Sequence, residues 1–421
     1  MPDDLSTLLD WLYRLQRLGI KVGLEHSRQL LEACGNPHQR LESIHLAGTN
    51  GKGSTAATIA AILKAAGRRV GLYTSPHLVR FNERIRINGV PISDEEIVRF
   101  VQEYRPAIER IQATFFETTS AMAFWHFERQ EVDVAVVETG LGGRLDSTNV
   151  IEPAITAILP VGMDHTEILG DSLAKIAVEK AGIIKPQTPL VLAPQHPEAA
   201  TVINNYAAQL AAPVAEVEEP QPPIVINATG TEFCWRGQAY RTPLIGHHQA
   251  LNTACAMAAV RLFDPQISDS IIARGLASVT WPGRLQRLNS DPPVFYDVAH
   301  NEHGISGVLD NLGRMYPRQS VGVVAVKSDK EIKRLAAALQ KGLEGLLVTS
   351  LPDTGLMDAF QLAASLSEAG VDCRPLPDFE VAMDWLLKTA DSQQPGLVFG
   401  SHYLADRVFR RFGFSFETGI I

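Results

Sequence analysis

Cysteine is scarce in this 421-residue chain: Cys34, Cys234, Cys255 and Cys373 stand far apart and form no C-x-x-C pair. That spacing excludes a disulfide framework and a thiolate zinc knuckle, and it suits a reducing cytosol. Long apolar runs are also missing. No stretch approaches the roughly 18 residues that a membrane-spanning helix needs, and the opening residues lack the basic segment of a signal peptide. Positive charge is not in excess either, since the formal net charge is −9, whereas nucleic-acid modules carry a basic field. The expectation is a cytoplasmic protein with small-molecule substrates and neither nucleic acid nor membrane as partner. It is expected to act as a monomer.

What the chain does have is apolar content for sizeable cores, 45% of residues, with 32 glycines and 25 prolines to punctuate them. Its length exceeds one ordinary core, so two or three domains are expected. Leu5, Leu8, Leu9, Leu12 and Leu15 recur at helical spacing and predict an amphipathic N-terminal helix. Beyond it, short β-rich runs alternate with helical stretches. "SIHLAG", "RVGLYTS", "VDVAVVETG", "AITAILPVG" and "PLVLAP" form a first series; "PVFYDVAH", "SVGVVAVKS", "GLLVTSLP" and "PGLVFGS" form a second. Unbroken apolar strands between helices indicate parallel sheets covered on both faces. Two proline-bearing breaks compete as the boundary, at 217–223 and 289–293. The later is preferred, because the hairpin "TEFCWRGQAYRTPL" and the helix from about His248 to Phe263 offer too little for a core of their own. This gives domains at 1–289 and 290–421.

Chemistry concentrates in "LAGTNGKGST", residues 46–55. A strand, a glycine loop and a helix N-terminus would present free backbone N–H groups to an anion, with Lys52 reaching terminal phosphates and Ser54 or Thr55 near a magnesium ion. The spacing differs from the common phosphate loop, because Gly53 separates Lys52 from Ser54 and Leu46 stands where the first glycine would be. A glycine-rich turn with a surface lysine is the plainer alternative. Ligands of open α/β sheets bind beyond the strand carboxyl ends. Those ends carry Ser75, Glu138 and the Asp164–His165–Thr166 run. With phosphates, hydroxyl, carboxylate and imidazole ligands suit Mg²⁺ or Mn²⁺. Helix capping by Ser75 and Asp164, and a hydrogen-bonded loop role for His165, stay open. In "VETGLGGRLDSTN", Arg144 and Asp146 offer a cation and a carboxylate to a substrate, or sit in a solvated turn.

"HLAGTNGKGST", "GLYTSPHLVRFNERIRING", "ETGLGGRLDSTN", "MDHTEILG", "EKAGIIKP", "GHHQALNTA", "WPGRLQ" and "DVAHNEHG" occur in that order. In these blocks the chain resembles the folylpolyglutamate synthase and dihydrofolate synthase family of the Mur ligase superfamily. The resemblance implies an α/β fold: a P-loop NTPase-like N-terminal domain with a mainly parallel sheet, and a smaller Rossmann-like C-terminal glutamate ligase domain. It implies ATP on Thr49, Asn50, Gly51, Lys52, Gly53 and Ser54, with Asn252, Arg284 and Asp297 also reaching the nucleotide. Ser75, Glu138 and His165 would be magnesium ligands, and Lys180 would be carbamylated. Val22, Gly23, Leu24, Thr114, Arg144, Leu145 and Asp146 would face the pterin. Lys52, Lys180, His165 and His300 would serve catalysis. Val298 and Glu302 stand where the family usually has glycine and proline. The implied reaction activates a folate or dihydropteroate carboxylate as an acyl phosphate, which L-glutamate attacks as the two domains close. The alternatives are a Mur ligase for a cell-wall nucleotide peptide and a nucleotide-gated binding module.

Overall fold

The computed structural model describes residues 5–18, 23–328, 332–352 and 354–414. Its first sheet has eight strands: β1 (Ser43–Ala47), β2 (Val70–Tyr73), β3 (Ile85–Ile87), β4 (Val90–Pro91), β5 (Val134–Glu138), β6 (Ile155–Ile158), β7 (Leu190–Leu192) and β8 (Val214–Glu216), in the order β4-β3-β2-β5-β1-β6-β7-β8. Only β3 and β4 run antiparallel to their neighbours. β1 lies between β5 and β6, both parallel to it, and every residue of these three strands is buried. Their continuous apolar character therefore reflects helices on both faces. The N-terminal helix Leu5–Arg14 buries Leu8 and Leu12 against a core that includes Tyr73, Phe100 and Phe124. That is the stripe the leucine spacing predicts.

A second sheet contains β9 (Gln221–Asn227), β10 (Gly230–Trp235) and β11 (Gln238–Thr242). The β10–β11 turn falls at Arg236 and Gly237, with φ of 51° and 77°, the pair of left-handed conformations that a two-residue hairpin requires. The third sheet contains β12 (Gln286–Ser290), β13 (Pro293–Asp297), β14 (Ser320–Val324), β15 (Leu343–Val348), β16 (Arg374–Pro375) and β17 (Gly396–Phe399), ordered β12-β13-β17-β14-β15-β16. Only the β12 pairing is antiparallel.

The chain divides into two compact units. Of the described residues, one holds those up to Pro220 together with Leu251–Val279; the other holds Gln221–Ala250 and those from Thr280 onward. This partition differs from the 1–289 and 290–421 division at residues 221–250 and 280–289. The reason is packing: Ile226, Ala228 and Ile245 join the core built on Phe295, Leu309 and Phe399, and a three-stranded sheet cannot bury such side chains alone. Among the described residues no helix is long and apolar enough to cross a membrane.

Two features hold β1 and its following helix in place. The helix Lys52–Ala65 is buried from Gly53 through Leu63, so it needs a tight neighbour on its outer side. The helix Asp269–Ala277 supplies it through Gly275, where a Cβ would stand 2.5 Å from Ile62 Cα and 3.0 Å from Ile62 N. The second feature is a buried hydrogen-bond chain. Asp146 accepts from the Gly140 and Leu141 amides on Oδ2, each at 2.9 Å, and from the amide and hydroxyl of Thr148 on Oδ1 at 3.0 and 2.5 Å. Because the Thr148 hydroxyl gives its proton to Asp146, His45 Nε2, 2.9 Å from that hydroxyl, must be the donor. His45 Nδ1 is then buried without a partner. Burial, helped by the Lys185 charge, pushes the His45 pKa down from 6.5 to about 3.

Two outcomes are expected. Gly275→Ala adds helix propensity but forces backbone against backbone, and overpacking of this kind costs about 1–3 kcal/mol. The variant should show a lower urea midpoint, and an equal or higher one would remove Gly275 from this role. For His45, only the unfolded chain takes up a proton between pH 6.5 and about 3, so stability falls as pH drops below 6.5, by about 2 kcal/mol at about pH 5. His45→Gln keeps an N–H donor and does not titrate. Urea unfolding at neutral and mildly acidic pH should show a shallower acid loss in that variant, and an unchanged slope would contradict the assignment.

Candidate functional site

β1 ends at Ala47 and the chain turns through Gly48–Gly51 into the helix Lys52–Ala65. Gly51 has φ of 85°, and a Cβ there would collide with the Asn252 amide group, so glycine is required twice over. Asn252 is thereby placed directly on the glycine loop. A second anchor is Thr49. Its amide donates to Pro160 O at 3.0 Å, its hydroxyl donates to Gly162 O at 3.1 Å, and it accepts from Gly162 N at 2.9 Å. These bonds tie the loop after β6 to the loop after β1. β6 ends at Ile158, so His165 belongs to that loop and not to a strand end as the sequence suggested. It is exposed, with φ of 50°, and precedes the short helix Thr166–Leu169.

Two lysines converge on one backbone oxygen. Lys52 Nζ donates to Gly48 O at 3.0 Å and to Thr49 O at 3.4 Å, and Lys180 Nζ donates to Gly48 O at 2.9 Å. Lys180, near the end of the helix Leu173–Ala181, is buried. Burial first and the Lys52 charge second bring its pKa from 10.5 down to about 7, against the weaker pull of Asp164 and Asp146. Sequence reasoning alone sees this residue as a surface helix lysine. Burial is what changes its chemistry.

At the end of β5, Glu138 is 4% exposed and its Oε2 accepts from the Ser75 amide at 3.3 Å. Ser54 is buried in the first turn of the helix Lys52–Ala65. Among the described residues no group of three or more His, Cys, Asp or Glu forms a metal cage. The polar loop after β2 is held by Glu83, which accepts from the Leu78, Val79 and Arg80 amides at 3.0, 2.9 and 2.6 Å. Arg84, in the same "FNER" turn, is 7% exposed and sits over the Phe115 ring. The sequence pattern singled out neither Glu83 nor Arg84, because charged residues in a polar loop read as solvated until the loop is seen folded inward.

The residues expected near a pterin are dispersed in role. Val22 lies outside the described residues. Gly23, with φ of 114°, and Leu24 precede the helix Glu25–Ala33. Thr114 caps the helix Phe115–Arg129: its hydroxyl accepts from Glu117 N at 3.3 Å, and its amide donates to Glu117 Oε2 at 2.7 Å. Arg144 places its guanidinium on Glu179 Oε1, at 2.7 and 3.1 Å. Leu145 is half-buried between them and Asp146, whose four acceptor bonds close the loop.

In the second unit, Asp297 ends β13 and is buried. Its oxygens accept from Leu285 N and Ala299 N, both at 2.7 Å, and burial raises its pKa while the Arg284 charge opposes that. Arg284 also donates to Gly283 O at 3.2 Å. His300 Nδ1 donates to Val298 O at 3.0 Å, and Asn301 caps the helix Glu302–Met315 through Gly304 N at 2.8 Å. Val298 is accommodated with its amide on Gly283 O at 3.1 Å, and Glu302 takes the first helical position, where its negative charge is favourable.

With this geometry in view, the chain matches the Mur ligase middle domain over residues 46–260 and the Mur ligase glutamate ligase domain over residues 283–402. It is 39% identical to the dihydrofolate synthase/folylpolyglutamate synthase of Bacillus subtilis over 78% of this chain and 81% of that one. Among solved structures it is similar to the Mycobacterium tuberculosis folylpolyglutamate synthase complexed with ADP, with a TM-score of 0.90 and 34% identity over 98% of this chain and 100% of that one. It is also similar to the Escherichia coli FolC structure in complex with DHPP and ADP, with a TM-score of 0.87 and 29% identity over 98% of this chain and 99% of that one. The two domain families matched in order along the chain, and relatives that align along most of it, carry one conclusion: this chain belongs to the folylpolyglutamate synthase and dihydrofolate synthase family of Mur ligases.

Proposed function

We propose that this protein is an ATP-dependent ligase that joins L-glutamate to the carboxylate of a folate or dihydropteroate through an acyl phosphate, releasing ADP and phosphate. The observation that carries the reading is the pair of lysines on Gly48 O, set beside a glycine loop that Asn252 touches. Relatives described as complexed with ADP, and in one case with DHPP, support it. Thr49, Asn50, Gly51, Gly53 and Ser54 are assigned to the nucleotide with Lys52, and Arg284 and Asp297 to the same ligand.

A carboxylate is a poor electrophile, and bringing it to a terminal phosphate sets like charges together at about 4 kcal/mol per unit pair for 4 Å and an effective dielectric of 20. Lys52 offsets this by exchanging two carbonyl acceptors for phosphate oxygens, a stronger charge-assisted bond. The N-terminal amide groups and the dipole of the helix Lys52–Ala65 add to it. Mg²⁺ keeps several waters and needs only one or two protein carboxylates beside phosphates, so Glu138 with Ser75 and His165 fits it, and the bound ion would neutralise charge on the transferring phosphoryl group. Lys180 with a pKa of about 7 is partly unprotonated at neutral pH. A neutral amine is the form that adds CO₂, losing a proton and becoming an anionic carbamate beside Lys52. His300, with Nδ1–H given to Val298 O, carries its lone pair on Nε2 in the neutral ring and is assigned to the glutamate amine. The Gly23–Leu24 segment, Thr114 and the Arg144–Asp146 loop are assigned to the pterin side. Four free cysteines fit a cytoplasmic setting.

The test is to incubate the protein with ATP, Mg²⁺, L-glutamate and either dihydropteroate or tetrahydrofolate, following ADP and product mass. A product heavier by one glutamyl residue is expected, and ADP release without it would favour a nucleotide-gated module instead. Lys52→Ala should lower turnover at least about 100-fold. Glu138→Ala should raise the magnesium concentration needed for half-maximal rate. Lys180→Ala should lose activity and regain part of it with added short carboxylic acids, and normal rates in all three variants would remove the site assignment.

A further inference from the structure

Arg84 ends the turn that leads into β3 and is 93% buried by its 7% exposure. A buried guanidinium is normally matched by a carboxylate, because an unpaired charge stripped of water is costly. Here Nε donates to His77 Nδ1 at 2.8 Å and the guanidinium carbon lies 5.1 Å from the Phe115 ring centroid. Among the described residues no carboxylate forms an ion pair with it, and its terminal nitrogens donate to none of them. The nearest acid in sequence, Glu83, is committed to three backbone amides. Burial draws the Arg84 pKa down, and Glu83 and Glu138 act on it only as neighbouring charges.

The arrangement is therefore a buried cation to which no carboxylate is ion-paired among the described residues. Its surroundings select the anion's shape. Tyr13 stacks on Phe115 at 5.6 Å, and Phe81 meets Phe115 edge-on at 6.1 Å, so an aromatic wall adjoins the guanidinium. Phe115 follows Thr114, assigned to the pterin side. Glu138, assigned to the metal, is close enough for its charge to be felt at Arg84. An aryl ring that ends in a carboxylate matches wall and cation together, whereas a nucleotide triphosphate matches only the cation.

We propose that Arg84 holds the reacting carboxylate of an aryl-acid substrate, an assignment that rests on the ligase reading above. Its paired N–H donors suit a carboxylate edge-on and compensate its charge before it meets phosphate. Arg84 is then a substrate-binding residue and not a structural one.

The test compares equilibrium binding, by calorimetry, of dihydropteroate and of its decarboxylated analogue, which keeps the pterin and the aniline ring. The wild type should prefer the acid by about tenfold or more, the yield of hydrogen bonds to a charged group. Arg84→Gln should lose that preference by weakening the acid alone, and Arg84→Lys should keep part of it. ADP affinity should be unchanged in both variants. Equal weakening of both ligands, or a loss of ADP affinity in place of acid affinity, would overturn the proposal. If Arg84→Gln does not fold, Arg84→Lys decides by the same comparison, since undiminished preference for the acid there would rule out a paired guanidinium contact. Product formation by the wild type is measured alongside: carboxylate discrimination through Arg84 with no glutamate conjugate would sink the ligase reading and leave Arg84 standing.

Discussion

The Gly48 carbonyl accepts hydrogen bonds from both Lys52 and Lys180, and much of the first unit is built around keeping two cations that close together. Neither lysine has a salt-bridge partner among the described residues at that point, so the pair is an electrostatic debt awaiting anions. Burial and mutual repulsion settle part of it by lowering the Lys180 pKa to about 7. The proposed ligands, phosphate oxygens for Lys52 and a carbamate on Lys180, would settle the remainder. Arg84 repeats the theme as a buried cation with no carboxylate ion-paired to it among the described residues.

Holding such groups requires rigidity from neutral contacts. Asp146, Thr148 and His45 fasten the loop after β5 to the centre of β1. Thr49 fastens the loop after β6 to the loop after β1. Glu83 organises the loop after β2 on its carboxylate. Each loop that follows a central parallel strand is thus tied by side chain to backbone, and the lysines and Arg84 are positioned before any ligand arrives. Preorganised charge of this kind favours catalysis because no reorganisation is needed during reaction.

The architecture was largely legible in advance. Apolar runs marked the parallel strands, the leucine spacing marked the first helix, and Arg236-Gly237 marked the hairpin turn. The glycine loop was also placed correctly between strand and helix, although its spacing departs from the common pattern. Less legible was the grouping of residues 221–250, because a short sheet has no core and its allegiance depends on which distant side chains accept Ile226 and Ile245. His165 looked like a strand-end residue because the apolar run continues past Ile158, yet Pro160 and the Thr49 bonds carry the chain into a loop instead.

By itself the sequence marked the alternation of parallel strands and helices, the first helix, the hairpin turn and the glycine loop between β1 and the helix Lys52–Ala65. These depend on local backbone preference and on periodic burial, which residues a few positions apart already encode. Only the tertiary structure decided that burial draws the Lys180 pKa down to about 7, that Arg84 is buried with no ion-paired carboxylate among the described residues, and that Asp146 spends its oxygens on its own loop. Those properties come from desolvation and from partners remote in the chain, and a side chain's charge state and free donors are set by the atoms packed around it.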